Sequence, residues 1–416
     1  MLLGLSIALA VFWVTQFLPA LAYGRLLWHS RPVQDEPKDL PKFCVGMPLR
    51  GADPHLATAI RRIADQDYPN FELRIVVDSK DDPAWDIVER VVRDMNRPNI
   101  RVSEIRSHSD SCSAYCNALA QYLDELDDSC KLVGFADADM IVPRDWLRNM
   151  AVPLANPIVG ATLGNRWYVP VGSKWGTCVR YLWNAGAVVP MWLYQMPWTG
   201  ALAMRRETVC RAGMANKLRR GMTEDAPVKS SLQQLGLRLQ FVPQLMIPNQ
   251  EETGLPACYQ FIQRQLLWTR LYHPHWWTVL ASALALTAAM YVPFVVAICF
   301  AAMRIWPDAV LAFCAGAGYL AGQAALLLML ELSVRKTFRD RIEPLQSVSW
   351  TMWIRTLFAI PLTQLLYVIA MISCVRKRGV LWRGVEYRID GPWDIHVVHR
   401  ASDKASLELQ GDNVSL

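Results

Sequence analysis

The chain has 416 residues, of which 53% are hydrophobic and 19% charged, with a mean hydropathy of +0.14. Soluble domains sit nearer a quarter charged; here the apolar excess lies at the N-terminus and after about Trp276, around a central stretch of ordinary soluble composition. A net charge of +6 is too mild for a nucleic-acid binder, and the 10 scattered cysteines complete neither a zinc pattern around Cys112 and Cys116 nor a disulfide framework.

Leu2–Trp28 is apolar over more than the roughly 20 residues that a bilayer requires. It has no positive n-region and no small-residue cleavage site, so residues 1–28 are expected to form a transmembrane helix rather than a signal peptide. Arg25, His29 and Arg31 follow closely, which places the N-terminus outside and the next segment in the cytosol. Residues 29–42 form a polar, Pro-containing linker. Trp28, Trp276, Trp277, Trp306 and Trp382 fall at the ends of apolar runs, where interfacial aromatics are expected.

Residues 43–255 alternate strand and helix patterns. Strands are expected at Phe43–Met47, Leu73–Val77, Ile100–Ile105 and Leu132–Ala136. Helices are expected at Pro54–Gln66, Ala84–Asn96 and Ser111–Leu126. This rhythm predicts an α/β domain with a mostly parallel sheet flanked by helices. Ligands in such sheets bind beyond the carboxyl ends of the strands.

Residues 256–275 read as an amphipathic interfacial segment, and 276–375 as transmembrane and re-entrant helices. Trp276–Ala302 and Ala309–Leu332 are spans joined by the short turn Arg304–Asp308. Arg335, Lys336, Arg339 and Arg341 return the chain to the cytosol. Val348–Val375 carries Arg355 and Pro361, which predicts two short helices broken near Pro361 that lie in, or re-enter, the membrane. The basic tail 376–416 then stays cytosolic, and it is polar enough after Ala401 to be disordered. The whole reads as a multi-pass membrane protein with a cytosolic soluble domain.

Two carboxylates, Asp137 and Asp139, follow the apolar strand in the run Phe135-Ala136-Asp137-Ala138-Asp139. At that spacing both can reach one divalent cation, Mg²⁺ or Mn²⁺, with phosphate oxygens completing the shell. Surface loops also produce Asp-x-Asp, but the place after a buried strand favours the metal. In the loop Asp78-Ser79-Lys80-Asp81-Asp82 a carboxylate could accept from a nucleotide base or from ribose hydroxyls, or the loop is a solvated turn. In Thr223-Glu224-Asp225, the carboxylates Glu224 and Asp225 suit general-base catalysis, or Thr223 or Asp225 caps the following helix, and both can hold. Trp198-Thr199-Gly200 is a tight loop that would let backbone approach a sugar, or a plain turn. Arg264, Trp268 and Arg270 would contact a diphosphate and an acceptor channel, or snorkel from an interfacial helix.

These motifs stand among longer runs: Met47-Pro48-Leu49-Arg50-Gly51-Ala52-Asp53-Pro54-His55-Leu56, Asp67-Tyr68-Pro69-Asn70-Phe71-Glu72-Leu73, Asp81-Asp82-Pro83-Ala84, Met204-Arg205-Arg206, and Trp382-Arg383-Gly384-Val385-Glu386-Tyr387-Arg388. Together they resemble the family-2-type glycosyltransferases of GT-A fold. More narrowly, they are similar to the ceramide glucosyltransferases and their bacterial, hopanoid-associated relatives. The resemblance implies that Asp81, with Asp78, contacts the nucleotide, that Asp137 and Asp139 hold the metal, and that Asp225 is the base. The terminal family motif falls on Arg264-Gln265-Leu266-Leu267-Trp268, with Leu267 in place of an arginine, and Arg270 lies about one turn on. A lysine common before the metal motif is absent, and Tyr115 stands near its place.

The activity so implied is inverting transfer of a hexose, glucose from UDP-glucose, onto a lipid hydroxyl such as that of ceramide, at the cytosolic membrane face. A processive polysaccharide synthase and a membrane scaffold with an inactive transferase fold are the alternatives. The few spans and Leu267 weigh against the synthase.

Overall fold

The computed structural model describes residues 2–30, 40–339, 341 and 345–400. Most of the expected linker and the tail after Arg400 lie outside them. The chain divides into two compact units. One comprises 31–167, 195–249 and 377–416, and the other 1–30, 168–194 and 250–376.

The first unit is built on a seven-stranded sheet. Its strands are β1 (Phe43–Leu49), β2 (Phe71–Val77), β3 (Ile100–Glu104), β4 (Leu132–Phe135), β5 (Val159–Leu163), β7 (Leu202–Arg205) and β8 (Arg238–Phe241). Between β5 and β7 in the chain lies the short strand β6 (Arg166–Tyr168), and after β8 comes β9 (Ile247–Asn249). The sheet order is β3-β2-β1-β4-β7-β5-β8, and β7 alone runs antiparallel to its neighbours. The mostly parallel α/β sheet expected from sequence is therefore the sheet observed. β1 is buried along its whole length, as a central strand covered on both faces should be.

The order steps outward from β1 in both directions, through β2 to β3 and through β4 to β7. That reversal opens a crevice at the carboxyl ends of β1 and β4. The loops after β1, β2 and β4 carry Asp53, Asp78 to Asp82, and Asp137 to Asp139, so the acidic residues share one edge of the sheet.

A second sheet in this unit comes from the C-terminal segment: β10 (Gly379–Trp382), β11 (Val385–Gly391) and β12 (Asp394–Arg400) form an antiparallel meander. The segment expected as a plain basic tail is thus folded. Tyr387 is buried, and its hydroxyl accepts a hydrogen bond from the Ala114 N–H at 3.0 Å. Trp382, expected in an interfacial belt, is on β10 and stacks on Tyr115.

The second unit is helical. Leu2–Trp28, Trp276–Ala302, Trp306–Arg339 and Trp350–Cys374 are four helices long and apolar enough to cross a membrane. Their outer faces expose Ile298, Phe313 and Phe358, among other large apolar side chains. Trp175–Leu193 and Leu255–Tyr272 pack with Trp350–Cys374 in this same unit. The expected continuous domain 43–255 is therefore interrupted, because 168–194 groups with the apolar helices.

The predicted break at Pro361 is absent. Trp350–Cys374 is one continuous helix with Pro361 inside it. A proline removes one N–H from the ladder, a loss that a helix packed among apolar neighbours absorbs. The helix also contains a polar contact that composition did not suggest: the Tyr291 hydroxyl donates to the Pro361 carbonyl at 2.7 Å.

Candidate active site

Asp137 and Asp139 lie on the loop immediately after β4. Arg166, at the start of β6, bridges them: Nη2 is 3.2 Å from Asp137 Oδ2 and 2.8 Å from Asp139 Oδ1, and Nη1 bonds Asp139 Oδ2. The Tyr115 hydroxyl donates to Asp137 Oδ1 at 2.6 Å. The Arg166 guanidinium also lies over the Trp198 ring, 4.7 Å from its centroid, which fixes its plane. Burial raises the Asp137 carboxyl above its ordinary range, and Arg166 opposes that shift.

Two hard oxygen donors side by side, already compensated by a cation, fit a divalent ion. Asp137 and Asp139 are the residues that would hold it, with the guanidinium displaced from between them.

Glu224 and Asp225 belong to the same unit, at the start of the helix Ala226–Gln234. Asp225 stands at the N-cap position without a side-chain capping bond, and accepts instead from the Thr223 hydroxyl. Glu224 accepts from the Thr199 hydroxyl. Thr199 thus orients an acid rather than only shaping a turn. Burial raises the Glu224 carboxyl far above its usual range, with Asp225 adding to the effect. Burial also pushes Asp225 up to about 6.

Gly200 is glycine for packing reasons: a Cβ there would fall 2.2 Å from the Trp198 ring and 2.7 Å from Met140 Sδ. Trp198 itself contributes its ring to Arg166.

The loop after β2 sets its acids in different surroundings. Asp81 is exposed. Asp78 is buried and ion-paired to Arg50, with His108 Nε2 at 3.3 Å and Arg400 Nη1 at 3.5 Å. Asp82, to which the sequence assigned no role, is 2% exposed; it caps the helix Pro83–Met95 through the Ala84 N–H and accepts from the Gly51 N–H at 3.0 Å. Burial raises Asp82 above the carboxylate range. Asp53, beyond β1, is raised by burial and by the field of Asp139.

Arg264, Trp268 and Arg270 lie on Leu255–Tyr272, in the helical unit rather than with the carboxylates. Arg270 Nη1 donates to the carbonyls of Cys374 and Val375 at 2.8 and 2.9 Å, closing the end of Trp350–Cys374. Leu267 is fully buried, an apolar place that would strand an arginine.

Sequence reasoning missed Arg50, Asp53, Asp82 and Arg166. Asp53 and Asp82 stood inside quoted runs with no chemical signal of their own. Arg166 reaches the metal motif across 27 residues of chain, which no local pattern encodes.

The model of glycosyl transferase family 21 matches residues 11–392, and the chain belongs to that family. The ceramide glucosyltransferase of Komagataella phaffii is 27% identical over 111 residues, a match that covers 26% of this chain and 22% of that protein's length. Among solved structures, mannosyltransferase PcManGT of Pyrobaculum calidifontis, in complex with GDP-Man and Mn²⁺, matches 89% of this chain and 99% of its own at 18% identity and a TM-score of 0.48. The glucosyl-3-phosphoglycerate synthase of Mycobacterium tuberculosis, in complex with Mn²⁺, UDP and phosphoglyceric acid, matches 54% and 78% at 16% identity and a TM-score of 0.35. Membership of a glycosyltransferase family is the membership expected from sequence.

Proposed function

We propose that this family 21 glycosyltransferase moves glucose from UDP-glucose onto the hydroxyl of a membrane lipid such as ceramide, with inversion, at the cytosolic face. The observation that carries the reading is the buried carboxyl pair Glu224 and Asp225 in the same unit as Asp137 and Asp139. A carboxylate with a value near 6 is ionised at neutral pH, yet basic enough to take a proton as it is released.

In the step, Asp225 accepts the proton of the acceptor hydroxyl. That oxygen forms a bond to the anomeric carbon from one face, while the bond from carbon to the diphosphate oxygen breaks on the other. The electron pair leaves with the nucleoside diphosphate. Thr223 holds Asp225 in place, and Thr199 holds Glu224. A divalent ion on Asp137 and Asp139 would neutralise charge developing on the leaving group; Tyr115 keeps Asp137 oriented. The Mn²⁺ in the complexes of PcManGT and the phosphoglycerate synthase supports such an ion here. The four apolar helices support a lipid acceptor, as does the likeness to a ceramide glucosyltransferase.

The test is transfer by the detergent-purified protein from radiolabelled UDP-glucose to a panel of ceramide, diacylglycerol, a hopanoid alcohol and a polyprenyl phosphate, with Mn²⁺ or EDTA. Label in ceramide that EDTA abolishes is expected. Label only in another lipid changes the acceptor, and growth of a polymer replaces the reading with a synthase.

A further inference from the structure

The reaction as described gives the C-terminal sheet no part. Its first hairpin has an unusual turn. Trp382 pairs with Val385, so Arg383-Gly384 is a two-residue loop. Both residues have positive φ, 46° and 73°, which is the type I′ geometry that favours Asn-Gly. Arginine is a poor choice for a left-handed position. What retains it must therefore lie in its side chain.

The side chain runs to the acidic edge of the large sheet. Arg383 Nη1 donates to the Arg50 carbonyl at 3.0 Å, and Arg50 Nε donates back to the Arg383 carbonyl at 2.8 Å, joining residues 333 apart. Arg383 Nη2 lies 3.8 Å from Oδ2 of buried Asp53. That is an ion pair too long for a hydrogen bond, and this Asp53 oxygen has no hydrogen-bond partner. The field of Arg383 also reaches Asp137. Next to it, Trp382 stacks on Tyr115, with centroids 6.1 Å apart, and Tyr115 holds Asp137. One hairpin thus contacts Tyr115, which holds Asp137, and Asp53, which feels the field of Asp139, all within one compact unit. Arg270, expected on the diphosphate, donates from Nη1 to a helix end.

We propose that Arg383 is a donor-binding residue whose guanidinium holds the diphosphate of the nucleotide sugar. This rests on the reading of the site as a nucleotide-sugar site. The planar fork of a guanidinium matches two phosphate oxygens. The side chain keeps 25% of its surface exposed, so it is accessible to a ligand. The reciprocal bonds with Arg50 set its direction, and Asp53 keeps it beside the carboxylates.

The test is calorimetric titration of the full-length protein in detergent with UDP and, separately, GDP, each with Mn²⁺, and with uridine. The variants are Arg383→Asn and Arg383→Lys. Asparagine suits the type I′ turn, so R383N is expected to fold, with a lower melting temperature from the lost Arg50 and Asp53 contacts. Its Kd for the nucleoside diphosphate that the wild type binds should rise about tenfold or more, with uridine affinity unchanged. R383K keeps the charge without the fork and should lie between the two. A folded R383N protein that binds the diphosphate like the wild type overturns the proposal. Should R383N fail to fold, wild-type affinity in R383K overturns it equally. If the wild type binds neither UDP nor GDP, the donor reading itself falls, and the arginine's role with it.

Discussion

Asp225 sits where its charge is disfavoured, and this has two measurable effects. Its value rises from 3.8 in a free side chain to about 6 in the fold. As a base it works only when ionised, so kcat/KM for transfer should rise with pH through an apparent value near 6 and level off above it. Asp225→Asn should remove that limb and lower transfer by about 10²–10⁴-fold, while nucleotide binding persists; full activity in this variant would remove Asp225 as base. The folded state holds this proton more tightly than the unfolded chain does. The associated stability is therefore present at low pH and is lost as pH climbs from about 4 to about 6. D225N should accordingly gain melting temperature relative to the wild type at pH 8 but not at pH 3.5. Arg166 gives a second prediction. It already compensates Asp137 and Asp139, so Arg166→Gln should tighten binding of Mn²⁺ to the nucleotide-free protein, read by the loss of free-ion EPR signal; weaker binding would mean that Arg166 organises the carboxylates for the ion. The carboxylates were legible because a short run after an apolar strand carries its own chemistry. Arg166 and Arg383 were not, because their meaning depends on partners distant in the chain.

Elements were legible where periodicity and punctuation agreed. The strands near residues 43, 73, 100 and 132 appear within two residues of expectation at their starts. The helix expected from Ser111 begins at Ala114 instead, because the Ser113 side chain accepts the Cys116 N–H at 3.1 Å and caps it there. Pro361 misled because proline breaks a helix in water more readily than among apolar neighbours. Packing between elements has no sequence signature at all. Gly46, in the middle of β1, faces the ring of Tyr122 from the helix Ala114–Asp124, and a Cβ there would meet it at 2.4 Å. The Tyr122 hydroxyl is anchored on the Cys44 carbonyl at 2.7 Å, so the ring has little room to retreat. Gly46→Ala should cost about 1–3 kcal/mol in chemical denaturation. A neutral result would show that the ring moves.

At the scale of the whole molecule, the sheet β10–β12 folds with β1–β8, although the apolar helices separate them in the chain. A single folded body lies on one side of a bilayer. The chain must therefore cross an even number of times between leaving that body after Asn249 and rejoining it at Lys377. Among the described residues three helices of spanning length occupy this interval, Trp276–Ala302, Trp306–Arg339 and Trp350–Cys374, so the expectation is that one of them does not cross. Trp350–Cys374 is the helix expected not to cross. It has the most buried apolar window of the four candidate spans, 39%, and its Arg355 bonds the Ser173 carbonyl. Ser173 precedes Trp175–Leu193, a lone helix between two returns to the same body, which parity equally keeps from crossing. With a protease site engineered into the Arg97–Asn99 loop and another after Arg400, sealed inside-out vesicles should lose both to added protease, whereas protection of the second alone would require a third crossing. On that expectation an apolar helix of full spanning length would stay in the near leaflet, and a hydropathy plot of this chain would overstate its number of crossings by one.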